Sequence, residues 1–156
     1  DYTTKNSICK EIFVPKQKLT PKKWIHDFNK YHGLSESDAQ FFKSSKLLCD
    51  MAKEEDFIIM GRYADVVLTN NHIPHVSIFI TAPFNQRVQR IKEISGNLTD
   101  KQARQMVELK DAEHMSKYFY YTGRNWGMSS NYDICINSAS YGIQGSVEVI
   151  KKMLDR

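Results

Sequence analysis

The residues of this sequence best suited to chemistry are cations that lie at expected strand ends and along one expected helix. Lys110, His114 and Lys117 are spaced i, i+4 and i+7, so they share one face of a continuous helix. The other cations of the set are Arg62, Arg87, Arg90, Arg104 and Arg124. Such a set suits phosphoryl transfer, because cations and Mg²⁺ stabilise the negative charge that the transition state spreads over oxygens. A solvated basic helix face is the alternative for the lysines.

Arg62 follows the apolar run Phe57–Met60 and a glycine, Gly61. A continuous apolar run predicts a strand buried on both faces, as in a parallel sheet flanked by helices. Gly61 permits a sharp turn at the carboxyl end of this strand, which is where open α/β sheets bind their ligands. The stretch indicates an anion site at Arg62, and a plain turn with a surface charge is the alternative.

A long helix is predicted to begin at Ser35 and to lead directly into this strand near Glu54. Its buried stripe is one of two sets, which the sequence leaves open: Phe41, Leu48 and Ala52, or Phe42, Leu47 and Met51. The other predicted elements cover residues 8–14 (strand), 20–33 (helix), 64–68 (helix), 76–81 (strand), 83–96 (helix), 99–118 (helix), 132–136 (strand) and 145–154 (helix). Strands that alternate with helices argue for a parallel α/β sheet.

Two short patterns locate helices on the carboxyl side of the second strand. Phe84, Val88 and Ile91 form an apolar stripe after Pro83. Thr99, followed three residues later by a glutamine, forms a capping box for a long and largely polar helix. A helix with no strong apolar stripe is usually exposed or mobile, so this one is the expected moving part.

Length and composition favour one domain. The chain has 156 residues, of which 41% are apolar and 26% charged, enough for a single core. No apolar run approaches the length of a membrane span and no leader is visible, so we expect a soluble, cytoplasmic protein without a membrane partner. The net charge of +4 favours polyanionic ligands without separating metabolites from nucleic acid. The cysteines Cys9, Cys49 and Cys135 are predicted to be buried thiols, and no metal site is predicted.

Several segments together resemble successive motifs of the cytidylate kinase-like family of P-loop nucleoside monophosphate kinases. The resemblance covers residues 35–154 and rests on the order and spacing of these segments: F-I-I-M-G-R-Y-A-D-V-V-L, I-F-I-T-A-P-F-N-Q-R-V-Q-R-I, Y-Y-T-G-R-N-W-G, N-Y-D-I-C-I-N-S and G-I-Q-G-S-V-E-V-I. It implies a three-layer α/β fold with a parallel sheet flanked by helices and a helical lid over residues 97–125. It also implies ATP and Mg²⁺ as cofactors, and a nucleoside monophosphate such as CMP as acceptor.

The resemblance also assigns roles to individual residues. Substrate-binding residues by this analogy are Arg62, Asp65 and Arg124. Catalytic cations by this analogy are Arg87, Arg90, Lys110 and Lys117. Asn137 and Ser138 lie where the adenine of ATP is expected. Nucleotides are therefore the expected partners, nucleic acid is not, and a homo-oligomer stays open.

Two departures from the family pattern bear on activity. The sequence contains neither G-x-x-x-x-G-K-[ST] nor a Gly-Ser-Gly-Gly loop, which would cradle the phosphates with backbone N–H groups. We expect this loop to lie upstream of Asp1, rather than residues 8–14 filling the place of its strand. The second departure is His114, which stands where relatives carry a lid arginine.

These departures leave two alternatives to an active kinase. The first is a catalytically inactive kinase-like domain that binds or regulates. The second is single-stranded nucleic-acid binding, in which bases stack on aromatic side chains beside the lysines. The aromatic residues of this second alternative are Tyr118, Tyr120, Tyr121 and Trp126.

Overall fold

The computed structural model describes residues 9–10, 34–61 and 63–155 of the chain. The chain divides into two units, residues 1–75 and residues 76–156. Helices and short parallel strands alternate within the described part of both units, which confirms a mixed α/β protein. The three-layer P-loop sheet and the single domain stay predictions. No helix in the described ranges combines the length and the apolar character that crossing a membrane requires.

The first unit contains two strands and two helices. These are β1 (Cys9–Lys10), α1 (Glu36–Glu54), β2 (Ile58–Ile59) and α2 (Ala64–Asn70). β1 and β2 are parallel, with Cys9 opposite Ile58 and Lys10 opposite Ile59. The strand predicted over residues 8–14 is thus present at Cys9–Lys10, while the helix predicted over residues 20–33 lies outside the described residues.

The predicted start of α1 is confirmed, because the Ser35 hydroxyl caps the helix by accepting a hydrogen bond from the Asp38 N–H at 3.1 Å. Of the two stripes that the sequence left open, the first is correct. Leu48 and Cys49 are buried against Val67 and Leu68 of α2. Phe41, Ala52, Phe57 and Ile59 pack around this cluster, whereas Phe42 and Leu47 are exposed.

The prediction that Phe57–Met60 is buried on both faces is wrong. Phe57 and Ile59 pack on the core of the first unit, but Ile58 is 54% exposed and Met60 68% exposed. Successive side chains of a strand point to opposite faces, and only the face carrying Phe57 and Ile59 is covered. A continuous run of apolar residues therefore did not indicate burial on both faces of this strand.

The second unit is built on one pair of parallel strands. Its elements are β3 (Ile78–Thr81), α3 (Phe84–Ser95), α4 (Asp100–Thr122), a 3₁₀ turn (Ser129–Asn131), β4 (Ile134–Asn137) and α5 (Ser138–Leu154). The register runs from Ile78 opposite Ile134 to Thr81 opposite Asn137.

A side-chain lock fixes where this strand pair begins. The Asp133 carboxylate accepts hydrogen bonds from the Ser77 N–H at 2.8 Å and from the Ser77 hydroxyl at 2.6 Å. The two residues also pair through the backbone, since the Asp133 N–H donates to the Ser77 carbonyl at 3.0 Å. Because a slip of one residue would break every one of these bonds, the lock sets the register.

Cys135 is exposed, so the prediction that it is a buried thiol is wrong. It alternates along β4 with Ile136, which is 3% exposed, and therefore lies on the opposite face. Cys49 fits the prediction, and burial raises the pKa of its thiol.

Helix α3 packs on α4 through the apolar stripe that the sequence predicts, and α4, although largely polar and expected to be exposed or mobile, buries two residues in this contact. Val88, Ala103 and Val107 form their buried cluster, with Phe84 and Ile91 of the predicted stripe against it. The capping box at Thr99 is present in both directions, with the Gln102 N–H donating to the Thr99 hydroxyl at 3.3 Å. The predicted boundary between the two helices is thereby confirmed.

Two helix boundaries differ from the prediction. α4 continues through Thr122, because Gly123 (φ 67) supplies the left-handed residue that ends a helix. α5 begins at Ser138 instead of Gly145, since the Asn137 side chain caps it by accepting from the Ala139 N–H at 3.1 Å. A kink at Gly142 (φ 66) divides α5 between this first turn and the predicted part of the helix.

Candidate functional site

Arg87 connects the end of β3 to the middle of α4. Its Nε donates to the Ala82 carbonyl at 3.1 Å, and its Nη1 donates to Asp111 Oδ1 at 2.7 Å. The side chains of Arg87 and Asp111 are 35% and 23% exposed, so water screens this ion pair only in part. Two of the Arg87 donors are thus engaged within the protein, and they hold α4 against the end of β3.

Lys110 and Lys117 converge on one carboxylate, that of Glu113. Lys110 Nζ donates to Glu113 Oε2 at 2.9 Å, and Lys117 Nζ donates to Glu113 Oε1 at 2.7 Å. The hydrogen bonds from Lys117 and Lys110 lower the pKa of Glu113 to about 2. Lys110 and Lys117 thus lie on one face of α4, as their spacing predicts, because both reach the same side chain.

The arginines of the candidate set differ in how they are engaged. Arg104 Nε donates to Asp100 at 2.7 Å and its Nη1 donates to Asn85 at 3.1 Å. The pKa of Asp100 lies below its ordinary value, chiefly because Arg104 donates to it. Among the described residues, no carboxylate forms an ion pair with Arg90, which is exposed on α3, or with Arg124, which is half-buried after α4.

His114 lies on α4, between Lys110 and Lys117 in sequence, and packs on an aromatic cluster. Its ring meets Trp126 edge-on, with centroids 5.1 Å apart. Trp126 in turn contacts Phe79 at 5.4 Å, and Phe79 stacks on Tyr132 at 4.8 Å. His114 therefore packs the carboxyl half of α4 against the turn that follows it, and its ring is half-buried there.

The four aromatic residues of the nucleic-acid alternative differ in exposure. Tyr118 is 0% exposed, so it cannot stack on a base, and Trp126 packs in the cluster just described. Tyr120 is 69% exposed and meets Tyr121 edge-on at 4.9 Å. Because α4 turns Tyr118 inward, these four residues do not form one stacking surface.

Asn137 and Ser138 join β4 to α5 at the carboxyl end of the strand pair. The Ser138 hydroxyl donates to the Thr81 carbonyl at 3.1 Å, and Asn137 caps α5. Both side chains therefore shape the crevice edge at which parallel sheets bind ligands. Their role toward adenine stays a prediction.

The two residues of the first unit that are predicted to bind the acceptor are described only in part. Asp65 lies half-buried in the first turn of α2, and its carbonyl accepts a hydrogen bond from the Thr69 hydroxyl at 2.8 Å. Arg62 lies outside the described residues. Its predicted contact with an acceptor phosphate stays a prediction.

Two carboxylates of the site were missed by sequence reasoning as partners of the cations. Glu113 could have been found, because it stands three residues after Lys110 and four before Lys117, the spacings at which helix side chains meet. The pairing of Asp111 with Arg87 joins two helices across 24 positions, and no local pattern signals it. Among the described residues, no group of three His, Cys, Asp or Glu side chains could hold a metal ion.

Comparison with models of known protein families assigns the chain to one family. The model of the cytidylate kinase-like family matches residues 3–140. The chain belongs to the cytidylate kinase-like family. The resemblance to this family, which the motifs of residues 35–154 carry, is thereby confirmed, and the family match covers it up to residue 140.

Individual relatives agree with this membership. A cytidylate kinase of Methanococcus aeolicus is 29% identical over 106 residues, which are 67% of this chain and 59% of the relative. A cytidylate kinase of Methanocaldococcus jannaschii is 24% identical over 107 residues, 68% of this chain and 60% of the relative. The match thus spans about 60% of the length of these curated relatives.

A solved structure shares the fold of this cytidylate kinase-like chain. The crystal structure of an uncharacterized protein from Eubacterium ventriosum superposes with a TM-score of 0.73 at 23% identity. The superposition covers 94% of this chain and 83% of that chain. At this identity the likeness shows the fold alone.

Proposed function

We propose that this protein transfers a phosphoryl group from ATP to a nucleoside monophosphate of the CMP or dCMP kind. The observation that carries the proposal is the family match over residues 3–140, together with two relatives named cytidylate kinase. The cations of the second unit support it physically, because such a reaction is catalysed mainly by positioning and by charge stabilisation.

In this proposal the lid covers residues 97–125 and contributes Lys110 and Lys117 to the phosphates. Arg90 is exposed and Arg124 half-buried, and neither forms an ion pair with a described carboxylate, so both are available to an anion. Arg87 is engaged with Asp111, so it contributes chiefly by holding α4 in place. Asn137 and Ser138 border the adenine, and Arg62 and Asp65 bind the acceptor.

By the family analogy, Mg²⁺ would reach this chain bound to ATP. Mg²⁺ in phosphoryl-transfer sites usually keeps several waters and is held by one or two carboxylates and by substrate phosphates. Bound with ATP, Mg²⁺ would neutralise charge on the phosphate oxygens, while the lysines and arginines of this chain orient them.

A second candidate function is an inactive kinase-like domain that binds nucleotides or regulates a partner. One observation favours it: His114 packs on Trp126 where the family resemblance places a lid arginine. A half-buried imidazole lacks the permanent charge and the planar fork that an arginine offers to phosphates.

A nucleotide-dependent assay separates the two candidates. ADP release should be followed in a coupled assay with ATP and Mg²⁺ and with CMP, dCMP, UMP or AMP in turn, on the full-length gene product. Turnover with one of these acceptors supports the kinase. Saturable nucleotide binding without turnover supports the inactive domain.

Arg62 offers the sharpest variant for the acceptor site. A charge-assisted contact to phosphate contributes about 1.5–3 kcal/mol, so Arg62→Ala should weaken monophosphate binding about ten- to a hundredfold. Arg62→Lys should restore only part of the loss, because an ammonium lacks the fork. Unchanged affinity in a stably folded Arg62→Ala protein would rule out the phosphate role.

A further inference from the structure

The feature of the second unit that the proposed reaction does not explain is the carboxylate between the two lid lysines. Glu113 accepts from Lys110 through one oxygen and from Lys117 through the other, at 2.9 and 2.7 Å. The Glu113 carboxylate therefore holds the ammonium groups of Lys110 and Lys117 close together, one at each of its oxygens. A phosphoryl group also presents adjacent oxygens, and each lysine could donate to one of them as it does to Glu113.

Pairing with lysines three residues before and four residues after stabilises a helix surface, and Glu113 contributes to α4 in this way. Glu113 differs from Asp100, which lies in the first turn of α4 between Arg104 and Lys92 and is also favoured by the helix dipole. Glu113 lies in the middle of the same helix, where the dipole has little effect, so the two lysines are its stabilising partners.

All three side chains of this triplet are accessible to a ligand. Lys110 and Lys117 are 60% and 51% exposed, and Glu113 is 35% exposed. A ligand can therefore approach without any rearrangement of the α3–α4 core. Since the two lysines lower the pKa of Glu113 to about 2, the carboxylate stays ionised at neutral pH and competes with an incoming anion for the lysines.

We propose that Glu113 is a built-in substitute for phosphate oxygens, which holds Lys110 and Lys117 converged in the empty protein and which a bound polyphosphate displaces. The inference rests on the proposed function, since it takes the phosphates of a nucleotide as the natural ligand. The consequence is a trade-off: the lysines are preorganised for an anion, and each binding event must overcome the ion pairs already present. Glu113 thus tunes the affinity of the lid for phosphates and lowers it.

The test is calorimetric titration of inorganic tripolyphosphate into the full protein at low ionic strength. Removing one negative charge at contact distance from the ligand should tighten binding about fivefold in Glu113→Gln, because that charge repels the ligand and holds the two lysines. Lys110→Ala and Lys117→Ala should each weaken binding.

Glu108→Gln is the matched control, because it removes the same charge from the same helix. Glu108 is exposed, lies five residues away and so points to another face of α4. Its substitution should change the affinity for tripolyphosphate by less than about twofold, because exposed charges beyond contact distance are screened.

Three results would overturn the inference. One is an affinity in Glu113→Gln that equals that of Glu108→Gln. Another is the absence of tripolyphosphate binding by both the wild type and Glu113→Gln. The last is an equal gain from Glu113→Gln when both lysines have been replaced by alanine, which would show that net charge acts rather than the triplet.

The wild-type transfer assay with ATP and CMP distinguishes this failure from failure of the proposed function. Turnover in the wild type, with no tightening in Glu113→Gln, refutes the role of Glu113 and leaves the kinase standing. Tightening by Glu113→Gln in a protein without turnover refutes the kinase and leaves a polyphosphate-binding triplet.

Discussion

Replacement of Arg87 by alanine should loosen α4 from the end of β3. The substitution removes the donor to the Ala82 carbonyl and the ion pair with Asp111, and it leaves a carboxylate that is only 23% exposed without that partner. Exposed ion pairs contribute about 0–1 kcal/mol, and breaking a fully buried pair costs about 3–5 kcal/mol. The intermediate exposure of this pair places the expected loss of unfolding free energy at about 1–2 kcal/mol.

Urea unfolding of the second unit measures this loss directly. In a Trp24→Phe background, Trp126 is the remaining tryptophan, and it contacts β3 and α4 through Phe79 and His114. A double-mutant cycle of Arg87→Ala and Asp111→Ala should give a coupling energy of about 1 kcal/mol, because the two side chains are in direct contact.

Conservative variants separate charge from geometry at this position. Arg87→Lys should recover part of the stability, because one ammonium cannot reproduce two donors of a planar fork aimed at different acceptors. A coupling energy of zero, or full recovery by Arg87→Lys, would refute the argument that Arg87 acts as a clamp. It would also return Arg87 to the cations that are free to contact phosphates.

Three further predictions concern packing and titration. Gly127→Ala should destabilise the second unit more than Gly123→Ala, by about 1 kcal/mol in urea unfolding, because both have positive φ but only at Gly127 would the new Cβ meet Phe79, at 3.1 Å; equal losses would contradict this. Ala103→Leu should cost about 1–3 kcal/mol, because Ala103 is 0% exposed, and an unchanged melting temperature would contradict the α3–α4 packing. Carboxyl NMR should place the titration midpoint of Glu113 near pH 2 instead of 4.5. Because the folded pKa is lowered, the contribution of Glu113 to stability is complete above pH 4.5 and is lost as the pH falls through about 2. A midpoint near 4.5 would refute the ion pairs.

Local chemistry made much of this fold predictable. Ser35 and the pair Thr99 and Gln102 mark helix starts by the same side-chain hydrogen bonds that the structure contains. The stripe that begins at Phe84 identifies the face that α3 buries. Each of these signals depends on residues at most one or two helical turns apart, so the sequence carries it in full.

The parts that sequence reasoning missed depend on distant partners. Whether an apolar strand residue is covered depends on how many faces of its sheet are packed. Ile58 in the first unit and Cys135 in the second are both exposed for this reason. The Arg87 clamp likewise depends on the packing of α3 against α4. A cation could thus be recognised as suited to phosphate, while its actual partner, Asp111, could not be foreseen.

The most direct test of the proposed kinase is a transfer assay with ATP labelled on its γ-phosphate, Mg²⁺ and CMP or dCMP, using the full-length gene product. If the protein is this kinase, label appears in the nucleoside diphosphate at the rate at which ADP is formed. Release of label as inorganic phosphate alone, or nucleotide binding with no label leaving ATP for any monophosphate, would contradict it.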